Sequence, residues 1–162
     1  MANTLVGAKF DRTLTSDQST QEGTGFGLGD RYTDSDGNEY VYLSAAAAVT
    51  GAGYAVTYTP AFAATMTATA QALTALGAPV AIAQAAVAEG SRGWFLVKGF
   101  GDVRVSANCD ANATVAATTT AGQLDDAVGK TIERLVLTTA RGTGAGLAPA
   151  VLTYPTVGAT TT

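Results

Sequence analysis

The sequence contains no histidine. Histidine is the commonest general base near neutral pH and a frequent ligand of zinc and iron. Its absence therefore excludes Ser-His and Cys-His nucleophile pairs and most zinc or iron sites. The single cysteine, Cys109, excludes an internal disulfide framework. We expect a protein that is not an enzyme and that holds no cofactor and no metal.

Charged residues are also scarce, at 14% of the chain, where about a quarter is usual. The 9 Lys and Arg residues are spread thinly, and the formal net charge is −4. Nucleic-acid-binding proteins normally carry a concentrated basic patch. We therefore expect no nucleic-acid partner.

Long apolar runs are absent as well. No stretch supplies the roughly 20 strongly apolar residues that a membrane-spanning helix needs, so we expect no membrane partner. The first ten residues, MANTLVGAKF, lack the charged and apolar regions of a secretory signal. The chain is expected to be made in a cytoplasm and to remain there or to be assembled into something there.

Small residues dominate what remains, because 33 Ala, 26 Thr and 19 Gly make up 78 of the 162 positions. Small side chains bury little apolar area each, at about 25 cal/mol per Å². Two interpretations fit this composition. Either the chain is an alanine-rich monomer of marginal stability, or much of its surface is covered by neighbouring proteins.

The N-terminal region, residues 1–29, differs from the rest because neither the helical nor the strand period persists in it. We interpret it as an extended arm that lies on a partner, with a floppy terminus as the alternative. Residues 30–157 are expected to form a β-rich domain and residues 158–162 a C-terminal tail. The arm's apolar anchors are Leu5, Val6, Phe10, Phe26 and Leu28, with Leu14 between them.

Short strands with turn signals between them recur from residue 31 onward. The Asp-Gly turn at residues 34–38 predicts a hairpin that leads into a strand at 39–43. Further strands are predicted at residues 54–59, 80–88, 94–100, 103–106, 113–118, 131–139 and 150–154. Turns are expected at 101–102 and 121–126, and Pro155 is expected to stop the last strand.

This pattern predicts an all-β fold, a compact small barrel or a sandwich of short strands. Two stretches stay ambiguous. Residues 45–48 either continue the strand at 39–43 or form a short helix. Residues 61–79 begin with a strand-like alternation and continue, at 71–77, as a short helix that ends at a glycine.

The candidate chemical motifs all have simpler explanations. The glycines at 23–29 lack the strand and helix of a dinucleotide-binding loop. The turn at 34–38 lacks the later glycine and glutamate of a calcium loop. Asp125 and Asp126 are expected to point apart into water rather than to pair with Asp110 in catalysis. Cys109 is interpreted as a small buried thiol, and Trp94 as a core side chain rather than a sugar platform.

The order of six segments resembles the capsid decoration, or cement, proteins of tailed bacteriophages, over roughly residues 30–157. The GWFLV strand and the AGQLDD turn are the most distinctive of these segments. The six are EYVY at 39–42, VAIAQ at 80–84, GWFLV at 93–97, AGQLDD at 121–126, LTTA at 137–140 and APAVLTYP at 148–155.

The resemblance implies a structural protein on the outer surface of the virion capsid. Such a protein bridges neighbouring subunits of the major capsid protein and associates with copies of itself, usually as a homotrimer. The arm anchors Leu5, Val6, Phe10, Phe26 and Leu28 are then the expected partner contacts. An alternative from another class is a tail- or fibre-associated module that binds a host-surface glycan, which would need exposed aromatic side chains.

Overall fold

The computed structural model describes residues 13–15, 26–68, 76–127 and 129–160. Within these residues the chain forms ten strands and no helix, which confirms the predicted all-β class. Whether the fold is a barrel or a sandwich stays a prediction. The described residues contain no helix that is long and apolar enough to cross a membrane. The strands are β1 (Arg31–Thr33), β2 (Glu39–Ala45), β3 (Ala55–Tyr58), β4 (Ala63–Met66), β5 (Val80–Ala83), β6 (Arg92–Val105), β7 (Thr114–Ala117), β8 (Leu124–Asp125), β9 (Lys130–Leu137) and β10 (Gly146–Thr160).

The strands hydrogen-bond in the order β1-β2-β4-β3-β5-β6-β10-β9-β7-β8. Two additional pairings, β2 with β6 and β6 with β8, close two circuits of five strands each. The first circuit is β2-β4-β3-β5-β6 and the second is β6-β10-β9-β7-β8, so the long strand β6 belongs to both. Because strands within a circuit have partners on both sides, few sheet edges stay open to other chains.

Two apolar clusters form the core, one on each side of β6 and β2. Phe95 and Val97 of β6 point into a cluster formed by the first circuit. Trp94 and Leu96 point the other way, into a larger cluster that also takes the inner residues of β9 and β10. Successive side chains of a strand face opposite sides, so a strand between two clusters is apolar at every position. This explains the unbroken apolar runs in β2 and β6.

The predicted hairpin is confirmed, with β1 and β2 antiparallel around residues 34–38. The Asp34 side chain organises the turn, because its Oδ1 atom accepts the backbone N–H groups of Asp36 and Asn38, both at 2.9 Å. Gly37 has a φ of 83°, a conformation that glycine adopts without steric cost. The Asp-Gly signal therefore predicted this turn for the right physical reason.

The predicted turn at residues 101–102 is wrong, because β6 runs without interruption from Arg92 to Val105. The first part of β6 pairs with β2, and the part from Lys98 onward pairs with β10. The pairing with β2 has a register shift between Leu96 and Lys98, just before Gly99, which has a φ of 110°. The N–H of Phe100 donates to the side chain of Asn38 at 2.8 Å. Pairing along its whole length keeps this glycine-containing segment extended.

Pro155 does not stop the last strand, which continues to Thr160. Proline lacks an N–H group and therefore disrupts a regular ladder. Here it lies at a register shift between the paired residues Leu152 and Thr156, where no ladder hydrogen bond is required of it. Residues 158–160, assigned to a tail from the sequence, consequently belong to β10.

The ambiguous stretches resolve in part. The strand β2 ends at Ala45. The strand predicted at 80–88 ends earlier, at Ala83. Beyond it, Val87 makes an isolated β-bridge to Val49. The strand-like alternation after residue 61 forms β4. The helix predicted at 71–77 lies mostly outside the described residues.

Candidate functional site

The predicted arm contacts fall into two groups. Leu5, Val6 and Phe10 lie outside the described residues. Phe26 and Leu28 are half-buried and pack against the chain's own larger cluster. These two anchors therefore complete the core of this molecule.

A short segment before them also touches the domain. Leu14 is buried and exchanges two backbone hydrogen bonds with Arg92 at the start of β6, at 3.0 and 2.6 Å. Residues 13–15 thus add a short bridge beside β6. The region predicted to be an arm is attached to the domain at Leu14 and again at Phe26.

Trp94 is a core side chain, as the sequence predicted, with only 3% of its surface exposed. Phe26 meets it edge-on, with ring centroids 5.0 Å apart, and Tyr42 lies at the same distance in a tilted arrangement. Tyr32 closes the group at 6.1 Å. Because Phe26 and both tyrosines surround the indole, Trp94 is unavailable as a stacking platform for a sugar.

The most exposed apolar surface of a strand lies on β6, β10 and β9. Phe100 pairs with Val151 of β10, and Val151 pairs with Val136 of β9, so the three side chains form one row across three strands. Leu147 and Pro149 extend the row along β10 on the same side. We call these five residues the apolar face. Phe100 is 72% exposed, and Val136 and Leu147 are each 41% exposed.

The other side of the same strands is fully buried. Ala148, Ala150 and Leu152 of β10 and the alternate residues of β9 point into the larger cluster. The backbone under the apolar face is therefore held by a packed core and by pairing on both sides of β10. This makes the apolar face a rigid surface rather than a flexible one.

Sequence analysis missed this surface. The apolar run at 94–100 was interpreted as a core strand throughout, and the turn expected at 101–102 separated Phe100 from the residues that follow. In the continuous strand, Phe100 alternates in phase with Lys98, Asp102 and Arg104, all of which face outward. That polar alternation was the available signal that Phe100 is exposed.

Charged side chains rim the two ends of the apolar face differently. At the Leu147 end, Arg104 lies on the ring of Tyr54 at 5.1 Å, and Arg141 donates to the carbonyl of Leu147 at 3.2 Å, with Asp102 as the accompanying acid. At the Phe100 end lies the β1–β2 hairpin, because Asn38 accepts the N–H of Phe100. Each end thus has a distinct group of charges.

The Phe100 end is acidic. Asp34 and Asp36 belong to its hairpin, and Glu39 forms an ion pair with Lys98 at 2.7 Å. Arg31 supplies the second cation there and lies 5.6 Å from the centre of the Tyr154 ring. The exposed Glu133 and Arg134 of β9 also lie at this end. At the Leu147 end, Asp110, Asp125 and Asp126 lie beside Arg141, whose N–H donates to the carbonyl of Cys109 at 2.7 Å. Acidic residues therefore outnumber basic ones at both ends.

Tyr154 connects these groups, because its hydroxyl donates a hydrogen bond to Glu39. The hydrogen bonds from Lys98 and Tyr154 lower the pKa of Glu39 below its usual value. The same contacts with Glu39 raise the pKa of Lys98 and of Tyr154. These groups therefore keep their ordinary charge states near neutral pH, and the cluster joins β2, β6 and β10 structurally.

Asp125 and Asp126 do not point apart into water, which corrects the prediction. Their carboxylates and the buried Cys109 thiol have ligand atoms within 4.8 Å of one another. The thiol donates to Asp125 at 3.6 Å, and Asp126 accepts the N–H of Asp110 at 2.7 Å. Burial, together with the nearby carboxylates, raises the pKa of Cys109 to about 11. Cys109 is a buried, protonated thiol, as the sequence predicted.

A groove of about 550 Å³ lies between β3, β4 and residues 76–79. Among the described residues that line it none is charged, and Tyr58, whose pKa is raised by burial, is the one titratable residue among them. Threonine, alanine and proline supply most of the remaining wall. The groove offers no pair of groups able to move a proton.

Comparisons with protein-family models, with curated proteins and with solved structures found no match to this chain.

Proposed function

We propose that this chain is a virion structural protein that decorates the outer surface of a tailed-bacteriophage capsid. In this role it stabilises the shell by bridging neighbouring subunits of the major capsid protein and involves no catalysis. The observation that supports it most is the apolar face, in which Phe100, Val136 and Leu147 are exposed on a rigid sheet. Exposed apolar surfaces of this kind are typical of protein–protein contacts.

The chemistry of the remaining surface is consistent with a packing role. Each pKa shift at a described carboxylate arises from hydrogen bonds that close a turn or join strands, as at Asp34, Glu39 and Asp126. These contacts maintain the fold. In the proposed role, the molecule would therefore act through its contact surfaces rather than through these carboxylates.

Mass action explains how such a protein would stabilise a shell. A ligand that binds the assembled state and not the dissociated subunits stabilises assembly by a free energy that rises with the logarithm of its concentration above its dissociation constant. Association between copies adds avidity, because the second contact forms at a high effective concentration. Many weak contacts can then hold one large assembly.

Residues 1–12 are the proposed contact with the major capsid protein, with Leu5, Val6 and Phe10 as its apolar anchors. Leu14, Phe26 and Leu28 pack on the chain's own domain, so the proposal assigns the partner contact to the other three anchors.

The test is co-sedimentation of the purified protein with empty expanded capsids and with unexpanded procapsids of its source. We expect saturable binding to expanded shells, at a copy number that matches a lattice symmetry. Deletion of residues 1–12 should abolish that binding and leave the thermal unfolding midpoint unchanged. Deletion of residues 1–28 is the contrasting variant, because it also removes Leu14, Phe26 and Leu28 from the core and should lower the midpoint.

Absence of binding to either shell would overturn the proposal. The glycan-binding tail module would then become the leading function, although the burial of Trp94 removes its best platform. Full binding by the variant that lacks residues 1–12 would keep the decoration role but remove the assignment of Leu5, Val6 and Phe10.

A further inference from the structure

We infer that Asp36 is a site of spontaneous covalent modification, at which aspartate converts to isoaspartate through a cyclic imide. The inference goes beyond the proposed function and does not depend on it. Asp36 and Gly37 form the one Asp-Gly pair in the sequence, and they lie in the turn of the β1–β2 hairpin. The pair of residues that builds this turn is also the pair that favours the reaction.

The reaction needs no enzyme and no co-reactant other than water. The backbone nitrogen of Gly37 attacks the side-chain carboxyl carbon of Asp36, and the new N–C bond closes a cyclic imide. The carboxyl hydroxyl leaves with the proton of the nitrogen as one molecule of water. Water then adds back and breaks one of the two bonds between the nitrogen and a carbonyl carbon. Breakage of the original peptide bond gives isoaspartate, whose main chain runs through the side chain, and breakage of the new bond restores aspartate.

The hairpin leaves Asp36 open to this reaction. Asp36 is exposed, and its carboxylate makes no hydrogen bond or ion pair with the described residues. The side chain is therefore free to change rotamer until its carboxyl carbon meets the next backbone nitrogen. Gly37 has no side chain to obstruct the attack. A Cβ atom built there would find no atom of the described residues within 4 Å, its chain neighbours apart.

The other aspartate of the turn is held in place. Asp34 precedes the small residue Ser35, but its carboxylate accepts four hydrogen bonds. Oδ1 accepts the backbone N–H groups of Asp36 and Asn38, both at 2.9 Å. Oδ2 accepts the side chains of Asn38 at 3.0 Å and Tyr40 at 3.1 Å. These donors favour the ionised carboxylate, which lacks the hydroxyl that must leave. Of the two aspartates in this turn, Asp36 alone is therefore expected to react.

One hydrogen bond opposes the reaction in the folded chain. The Gly37 N–H donates to the carbonyl of Asp34 at 3.2 Å, at the long end of the normal range. This bond has to open before the nitrogen can attack. Local opening of an exposed turn costs less than global unfolding. We therefore expect isomerisation to be slower in the folded protein than in a short peptide of the same sequence, but still measurable.

Isoaspartate would disturb the hairpin, because it adds one methylene group to the main chain between Asp34 and Asn38. The Asn38 carbonyl accepts the N–H of Asp34 at 3.0 Å and closes the turn. The Asn38 side chain accepts the N–H of Phe100 at 2.8 Å and joins the hairpin to β6. A longer turn would move Asn38 away from one of these partners. The modified form should therefore unfold at a lower temperature than the unmodified protein.

The test is ageing of the purified full chain at physiological temperature and mildly acidic pH. Isoaspartate is measured by enzymatic methylation with protein isoaspartate methyltransferase. It is located with endoproteinase Asp-N, which cleaves before aspartate but not before isoaspartate. We expect the methylation signal to grow with time and cleavage before residue 36 to be lost, while cleavage before Asp34 is retained. The aged form should keep the mass of the unmodified chain and have a lower thermal unfolding midpoint.

Asp36→Glu is the matched control, because it keeps the carboxylate but would have to close a larger ring, which forms far more slowly. It should abolish the methylation signal, and circular dichroism verifies that it folds. A synthetic peptide of residues 30–42 is the positive control for both assays. The inference is overturned if the peptide accumulates isoaspartate and the folded chain does not, if Asp34 isomerises as fast as Asp36, or if Asp36→Glu leaves the signal undiminished. An aged form with an unchanged midpoint would overturn the effect assigned to the hairpin.

Discussion

Small residues allow close approach between loops and strands in this molecule. Gly53 has a φ of 81°, and a Cβ atom added there would lie 2.3 Å from the Cδ2 atom of Leu147. Gly122 has a φ of 74°, and its Cβ would lie 2.7 Å from the ring of Tyr54. A larger side chain at either position would force the backbone or its neighbour to move. At these two positions glycine is needed because a neighbouring side chain occupies the space of a Cβ atom.

Thr67 carries a buried hydroxyl group that makes no hydrogen bond within the described residues. Its side chain is fully buried, and its hydroxyl finds no hydrogen-bond partner within the described part of the chain. A buried unsatisfied hydroxyl costs about 1–3 kcal/mol. Thr67→Val, which removes the hydroxyl and keeps the shape, should therefore leave the free energy of unfolding unchanged or raise it by about 1 kcal/mol.

Thr131→Val is the matched comparison, because the Thr131 hydroxyl is also buried but donates to the carbonyl of Ala159 at 2.9 Å. Removal of this hydrogen bond should lower the free energy of unfolding by about 1 kcal/mol. Urea unfolding of both variants provides the measurement. Equal destabilisation by the two substitutions would show that Thr67 has a partner after all.

The β1–β2 hairpin shows how one side chain controls a whole element. Asp34 accepts hydrogen bonds from Asn38, from the backbone of Asp36 and from the hydroxyl of Tyr40 at 3.1 Å. Partial burial alone would raise the pKa of Asp34, but these hydrogen bonds together lower it. Burial, with the Asp34 carboxylate, raises the pKa of Tyr40 to about 12. Both residues therefore keep their charge states through the neutral range.

Acid should weaken this hairpin. A carboxyl group whose folded pKa is lowered contributes stability above its unfolded pKa, near pH 4, and that stability is lost as pH falls through the folded value. Asp34→Ala should lower the free energy of unfolding at pH 7 by up to about 1 kcal/mol. It should also flatten the decline in stability between about pH 5 and pH 2.

Asp36→Ala serves as the control, since it removes the same charge from the same hairpin but leaves the Asp34 hydrogen bonds in place. It should keep the acid dependence of the unmodified protein. Thermal unfolding across this pH range measures both variants. The explanation fails if Asp34→Ala retains the full acid sensitivity.

Local signals predicted most of the strands but not their pairing. The Asp-Gly turn, the alternation at 54–59 and the apolar run of β6 depend on neighbours in sequence, and each is confirmed. The turn at 101–102 and the end at Pro155 failed, because β10 pairs with distant residues of β6 and β9. Tertiary pairing overrides glycine and proline signals when the rest of a strand is held on both sides.

The candidate site was less predictable than the fold. An apolar side chain is usually buried, so sequence alone assigned Phe100 to the core. Trp94 and Leu96 point into the larger cluster in the same alternation phase as Phe100, but a register shift between Leu96 and Lys98 reverses that phase. Val103 then points into the cluster, and Phe100 points outward. The approach of Cys109 to Asp125 likewise depends on loops that are distant in sequence. Both features require the three-dimensional structure.

At the scale of the whole molecule, the two proposed contacts occupy separate parts of the chain. Residues 1–12 precede Leu14, which bridges Arg92 at the beginning of β6. Phe100 of the apolar face lies eight residues beyond Arg92 on the same strand. Pairing along β6 therefore holds the apolar face at a fixed position relative to the bridge at Leu14.

This separation predicts different effects of two variants on shell binding. Phe100→Ser removes the most exposed side chain of the apolar face and should lower the affinity for expanded shells by about tenfold. Deletion of residues 1–12 should abolish shell binding. Co-sedimentation measures both affinities, and Leu76→Ser, at a 66% exposed side chain that lines the groove, is the unaffected control. If Phe100→Ser left the shell affinity unchanged, the apolar face would take no part in shell binding, and the proposed contact would consist of residues 1–12 alone.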